Sequence, residues 1–174
     1  MSRTKGIYEH HSMGFEPVYD ENSRILILGS FPSVKSRETE FYYGHKQNRF
    51  WRVAAALTGE PVPVSVEQKK RLLLKHGIAL WDVIESCDII GSADSTIRNV
   101  VPADINRITK EAPIEKIFVN GGTASRLYDK FLLPVTGTAA TKLSSTSPAN
   151  ARMSLDELID EWGKAMELAG ETDE

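Results

Sequence analysis

Short apolar runs alternate with helix-forming segments along most of this chain. That alternation constrains its fold more than any other feature. The run "RILIL" leads to Gly29 and reads as a buried strand over residues 24–29. Residues 49–58 read as a helix, with Phe50, Ala54 and Leu57 near one face and Gly59 past its end. "VEQKKRLLLKHG" reads as a second helix stopped by Gly77, and "IALWDVI" as the next strand. "PADINRITKEA" reads as a helix with Pro102 in its first turn, where the missing N–H costs little. "KIFVN" is a third strand, followed by a helix over "GGTASRLYDKFLL" that Pro134 is expected to end. "AATKLSS" gives a fourth strand. A last helix opens on a Ser154–Glu157 capping box and carries the stripe Leu155, Leu158, Ile159, Trp162 and Met166.

Such alternation implies an α/β fold with a mainly parallel sheet covered on both faces. Right-handed crossovers place the loops after the strands at one edge, where open α/β sheets bind ligands. Four segments should therefore converge: "GSFPS…QNRFW", "WDVIESCD", "NGGTAS" and "SSTSPANAR". The first is unusually long for a connection in a compact domain, and its aromatics argue for function rather than disorder. The chain of 174 residues suits one domain, with a core over about residues 15–168 and short flexible ends.

The convergent segments are rich in amides, hydroxyls and aromatics, with one carboxylate at a strand end, Asp82. There is no G-x-x-x-x-G-K-[ST] or G-x-G-x-x-G phosphate loop, no G-x-S-x-G elbow and no metal-spaced His or Cys set. Cys87 is the only cysteine, so no internal disulfide can form. Such an inventory suits positioning of water and electrostatic help rather than a strong nucleophile, with no metal or cofactor. No run of about 18 apolar residues is present, and the N-terminal stretch lacks the apolar core of a signal peptide. A cytoplasmic protein without a membrane or an obligate protein partner is expected. The net charge of −3 counts mildly against a dedicated nucleic-acid binder, but much of the acid lies in "DELIDEW" and "ETDE". The middle loops carry Lys35, Arg37, His45, Lys46, Arg49, Arg98, Arg126 and Arg152.

"LILGSFPS", "YYGHKQNRFW" and "SSTSPAN", in this order and on these strand ends, resemble the uracil-DNA glycosylase superfamily. They are most similar to its hypoxanthine-DNA (deoxyinosine) glycosylase branch, family 6. The resemblance spans about residues 15–168. It implies a three-layer α/β/α sandwich with a four-stranded, mainly parallel central sheet. It further implies a monofunctional base-excision enzyme that flips a deaminated base, chiefly hypoxanthine, from double-stranded DNA. The N-glycosidic bond would then be hydrolysed with water and no metal, by a protein associated with the nucleoid when acting.

Carried onto this chain, the resemblance makes Gly29, Ser30, Phe31 and Pro32 part of the base pocket. Phe31 stands where mismatch-specific relatives keep a water-positioning Asn, so it is assigned to stacking on the base. Asn48 matches the Asn of the branch's extended first motif and is assigned to positioning water or stabilising charge at the sugar. Tyr43 and Asp82 complete the pocket; Asp82 can accept the N1–H of hypoxanthine or help a neighbour stabilise the leaving base. Leu143 and Ser144 occupy the His and Pro places of other relatives' second motif; within the branch, Ser144 departs from a frequent Leu-Pro. Ser145, Thr146 and Ser147 would grip phosphates, and Asn150, Arg152 or Met153 would supply the wedge.

Plainer readings stand beside these. Asn48 can cap the helix that follows it. Phe50 and Trp51 read as core. Asp82 can pair with Arg98, and Gly121 and Gly122 can start a helix. The serines can form a turn cluster. Rival functions are a uracil or mismatch glycosylase of the same fold, or a damaged-DNA binder without chemistry.

Overall fold

The computed structural model of the chain describes residues 7–12, 15–31, 41–91 and 93–170. Four strands form a parallel sheet: β2 (Ile25–Gly29), β3 (Ile78–Asp82), β6 (Lys116–Asn120) and β7 (Thr141–Leu143), in the order β3-β2-β6-β7. The two central strands read Ile-Leu-Ile-Leu and Lys-Ile-Phe-Val because both faces are covered, leaving no need for polar alternation. Helices α1 (Phe50–Thr58), α2 (Val66–Lys75), α4 (Gly122–Leu127) and α6 (Leu155–Gly170) flank the sheet, which is the expected α/β architecture. No helix of the described residues is long and apolar enough to cross a membrane.

Strand register decides what meets at the sheet's carboxyl edge. Gly29 lies opposite Asp82, and Asn120 opposite Leu143. The four strand-end residues of one edge are therefore Asp82, Gly29, Asn120 and Leu143. Phe41, Tyr42, Phe50, Trp51 and Trp162 all lie in the hydrophobic core behind this edge, as expected for Phe50 and Trp51.

Three expectations need correction. "WDVIESCD" is not a cleft loop. After Asp82 and Val83 the chain enters β4 (Ile84–Ile89), the middle strand of a small antiparallel sheet with β1 (Glu9–Ser12) and β5 (Arg98–Pro102). Ile84, Cys87 and Ile89 of this strand are buried in the same core. Pro102 does not open a helix but ends β5, and α3 is a single turn, Asn106–Thr109. Nor does Pro134 end the helix after β6. A π-turn over Tyr128–Leu132 interrupts it, and α5 (Leu133–Thr136) restarts with Pro134 in its first turn, where its missing N–H breaks no bond. Gly137, at φ 68°, ends it.

Candidate active site

Asn48 precedes α1, and the geometry gives its side-chain oxygen two donors. The Phe50 N–H donates to Oδ1 at 2.9 Å and the Thr146 hydroxyl at 2.8 Å. Because a backbone N–H can only donate, this fixes which end of the amide is oxygen. Both oxygen lone pairs are used, and the amide NH2 has no partner among the described residues. Asn48 thus serves the first turn of the helix and holds a fixed orientation at the same time. A turn sets it there: the Asn48 N–H donates to the His45 carbonyl at 2.8 Å, and His45 Nδ1 accepts the Gln47 N–H at 3.0 Å.

Thr146 is fully buried. Its N–H donates to Asn120 Oδ1 at 3.1 Å, and its hydroxyl accepts from Asn120 Nδ2 at 3.1 Å. It braces Asn48 from below and is not on the loop's face, which departs from the phosphate contact expected of it. Asn120 also donates to the Tyr43 hydroxyl at 3.3 Å. The sequence reading did not single out Asn120. Its signal was the one that drew attention to Asp82: a polar side chain on the last residue of a buried strand.

Arg49 was also missed as an organiser. Its guanidinium donates to the carbonyls of Ser147 and Asn150, both at 2.9 Å, and to that of Met153. Its own N–H donates to the Thr146 carbonyl at 3.0 Å. The two loops that carry the motifs are thereby clamped together. Within the second loop, Ser145 Oγ accepts the Ser147 N–H and Ser147 Oγ accepts the Ala149 N–H. Each hydroxyl keeps its proton for a further acceptor. Gly121, at φ 98°, lets this loop close over β6: a Cβ there would stand 3.1 Å from that of Ser145. Asn150 spends its amide on the Ser145 carbonyl at 3.0 Å, Met153 packs on the core, and Arg152 is exposed. At Ser144, a proline would lack the N–H that here donates to Glu161 at 2.8 Å, beside a 2.7 Å bond from the hydroxyl to the same carboxylate.

Gly29, Tyr43 and Asp82 come together beside this network. A Cβ on Gly29 would lie 2.6 Å from Asp82 Oδ1 and 2.9 Å from the Tyr43 hydroxyl, so only glycine admits both groups. Tyr43 adopts φ 55° and stacks on Phe50 at 4.3 Å. Burial holds its phenol well above the usual range, with the Asp82 carboxyl adding to the effect. Asp82 is 3 % exposed, and its Oδ2 has no hydrogen-bond donor among the described residues. Burial pushes its carboxyl up to about 7. It does not pair with Arg98, whose guanidinium lies over the Tyr8 ring at 3.5 Å. Ser30 and Phe31 continue the edge half-buried, and Phe31 packs against the core with its ring 6.2 Å from that of His11. Pro32 lies outside the described residues. Among the described residues no group of His, Cys, Asp and Glu could hold a metal ion.

Two curated relatives cover most of the chain. A hypoxanthine DNA glycosylase of Methanosarcina acetivorans is 37% identical over 142 residues, which is 81% of this chain and 89% of that protein. One of Methanosarcina barkeri is 34% identical over 153 residues, 87% of this chain and 96% of that protein. The solution NMR structure of a candidate uracil DNA glycosylase from Methanosarcina acetivorans is similar with a TM-score of 0.74 at 33% identity, covering 92% of this chain and 99% of that one. Residues 16–165 match the family model of the uracil DNA glycosylase superfamily. An amide fixed at the carboxyl edge of a four-stranded parallel sheet thus sits within a chain that belongs to the uracil DNA glycosylase superfamily.

Proposed function

We propose that the protein is a monofunctional DNA glycosylase that removes deaminated bases, chiefly hypoxanthine, from double-stranded DNA by hydrolysing the base–sugar bond. The observation that carries this is Asn48. Its oxygen is immobilised by Phe50 and Thr146, leaving an NH2 to hold a water. An oxocarbenium-like sugar needs no strong nucleophile, only a water held in place, and a preorganised amide supplies that without reorganisation.

Flipping a nucleotide costs a few kcal/mol and must be repaid by stacking and edge contacts. Phe31 and Tyr43 offer aromatic surface, while Gly29, Ser30 and Asp82 complete the pocket. The free hydroxyl protons of Ser145 and Ser147 meet the phosphates beside the flipped nucleotide. Of the wedge candidates, Arg152 fits best, because it is exposed whereas Asn150 and Met153 are spent within the loop and core. Exposed Lys46 and Arg126 add positive charge on the loop before α1 and on α4, despite the chain's net negative charge.

Base release from duplexes containing deoxyinosine, deoxyuridine or deoxyxanthosine, scored by alkali cleavage of the abasic site, tests this reading. Hypoxanthine release well above uracil release is expected. Preferred release of uracil would place the activity with the mismatch enzymes. Binding without release from any duplex would leave a non-catalytic binder.

A further inference from the structure

We propose that Asp82 is the acid of the reaction, giving its carboxyl proton to N7 of the departing purine. This rests on the reading of the protein as a hypoxanthine glycosylase. Of the four strand-end residues at the sheet's carboxyl edge, Gly29, Asp82, Asn120 and Leu143, only Asp82 carries an acidic proton. Leu143 is apolar and buried, and Asn120 is committed to Thr146 and Tyr43.

The surroundings of Asp82 favour its neutral form. An ionised carboxylate at this depth would need donors, and Oδ2 has none among the described residues. From β2 it meets Gly29, which has no side chain. The loop before α1 contributes Tyr43 and Tyr42, phenols that burial keeps neutral; the Tyr42 hydroxyl donates to the Glu16 carbonyl. His45 of the same loop is engaged in the turn with Gln47. The chain continues through buried Val83 into β4, whose Ile84 is buried and whose Glu85 faces solvent. On the flank of β3, Arg107 lies over the Trp81 ring and is paired with Glu16 at the surface. No charge of these groups draws the carboxyl down; burial alone sets it near 7, where a general acid works best at neutral pH.

The step balances. The Asp82 proton passes to N7 as the C1′–N9 bond breaks, and the bonding electrons stay on N9, so the base leaves neutral. Water held by Asn48 adds to C1′, and the proton it loses restores the Asp82 carboxyl, directly or through solvent. Pyrimidines have no N7, so the device favours purines.

The test is single-turnover base release by the wild type and Asp82→Asn across about pH 5.5–9. Duplexes would carry deoxyinosine or 7-deaza-2′-deoxyinosine, in which N7 is replaced by C–H. The expected wild-type rate on deoxyinosine falls as pH rises through about 7. Asp82→Asn should lose that dependence and about 10²–10⁴ of the rate, with duplex binding retained. On the 7-deaza duplex the same substitution should cost little. Equal losses on both duplexes, or a variant with the wild-type profile, would overturn the proposal. Should Asp82→Asn not fold, a wild-type rate that is flat or rising from about pH 6 to 8.5 would also overturn it. A wild type that releases no hypoxanthine at any pH would remove the functional reading itself.

Discussion

Asn48 and Asp82 stand at the same edge of the sheet, but their surroundings are built in opposite ways. The Asn48 oxygen receives two donors, and its partner Thr146 is itself held by two bonds to Asn120. Asp82 sits against a missing side chain at Gly29 and keeps a buried oxygen without a described donor. The first arrangement removes freedom from a side chain proposed to position water. The second leaves Oδ2 without a donor among the described residues, and burial there favours the protonated carboxyl. One region is stabilised by its polar groups, and the other is strained by them.

Beside the rate loss expected of Asp82→Asn, the largest effect should come from Asn48→Ala. Single-turnover release of hypoxanthine is expected to drop by about 10²–10³-fold, with inosine-duplex binding nearly unchanged. Full activity would end its role as the water-positioning residue.

Next in size is the pH dependence of stability that Asp82 contributes. Its folded-state pKa is raised, to about 7, so the folded protein holds a proton that the unfolded chain has released. The sign follows: its neutral form is fully compatible with folding at acid pH, and stability is lost as pH rises from about 4 through 7. The loss is on the order of a few kcal/mol. Thermal melts across that window should slope less for Asp82→Asn than for wild type. An unchanged slope would mean that the carboxyl is ionised and has found a donor, and the contrast with Asn48 would vanish.

Arg49→Met keeps the stem and removes the clamp on three carbonyls. It should cost about 2–4 kcal/mol in denaturant melts and loosen the second loop. Thr146→Val, the smallest change, should cost about 1–2 kcal/mol and lower kcat with KM little changed, because Asn48 loses one of its two supports. A KM increase with kcat intact would instead return Thr146 to contact with the phosphates.

Much of this was legible because period and composition report local environment. The runs "RILIL" and "KIFVN" are apolar between their ends because both faces of a parallel strand are buried, and the structure places them at Ile25–Gly29 and Lys116–Asn120. The Ser154–Glu157 box forms as read, with bonds of 2.8 and 3.1 Å. The small antiparallel sheet was not legible. Its middle strand follows the parallel strand after one residue, and its partner "EHHS" has no apolar pattern, so only long-range pairing reveals either.

By itself, the amino-acid sequence determined the α/β class, the three motifs, and the presence of Asn48 and Tyr43 in the loop before a helix and of Asp82 at a strand end. These follow from local periodicity and from residue types at element boundaries. Only the tertiary structure decided that Thr146 faces inward, that Arg49 joins two loops about a hundred residues apart in sequence, and that Asp82 Oδ2 meets no donor among the described residues. Burial and hydrogen-bond partnership are properties of what else is nearby, and no local pattern encodes a neighbour brought in by another strand.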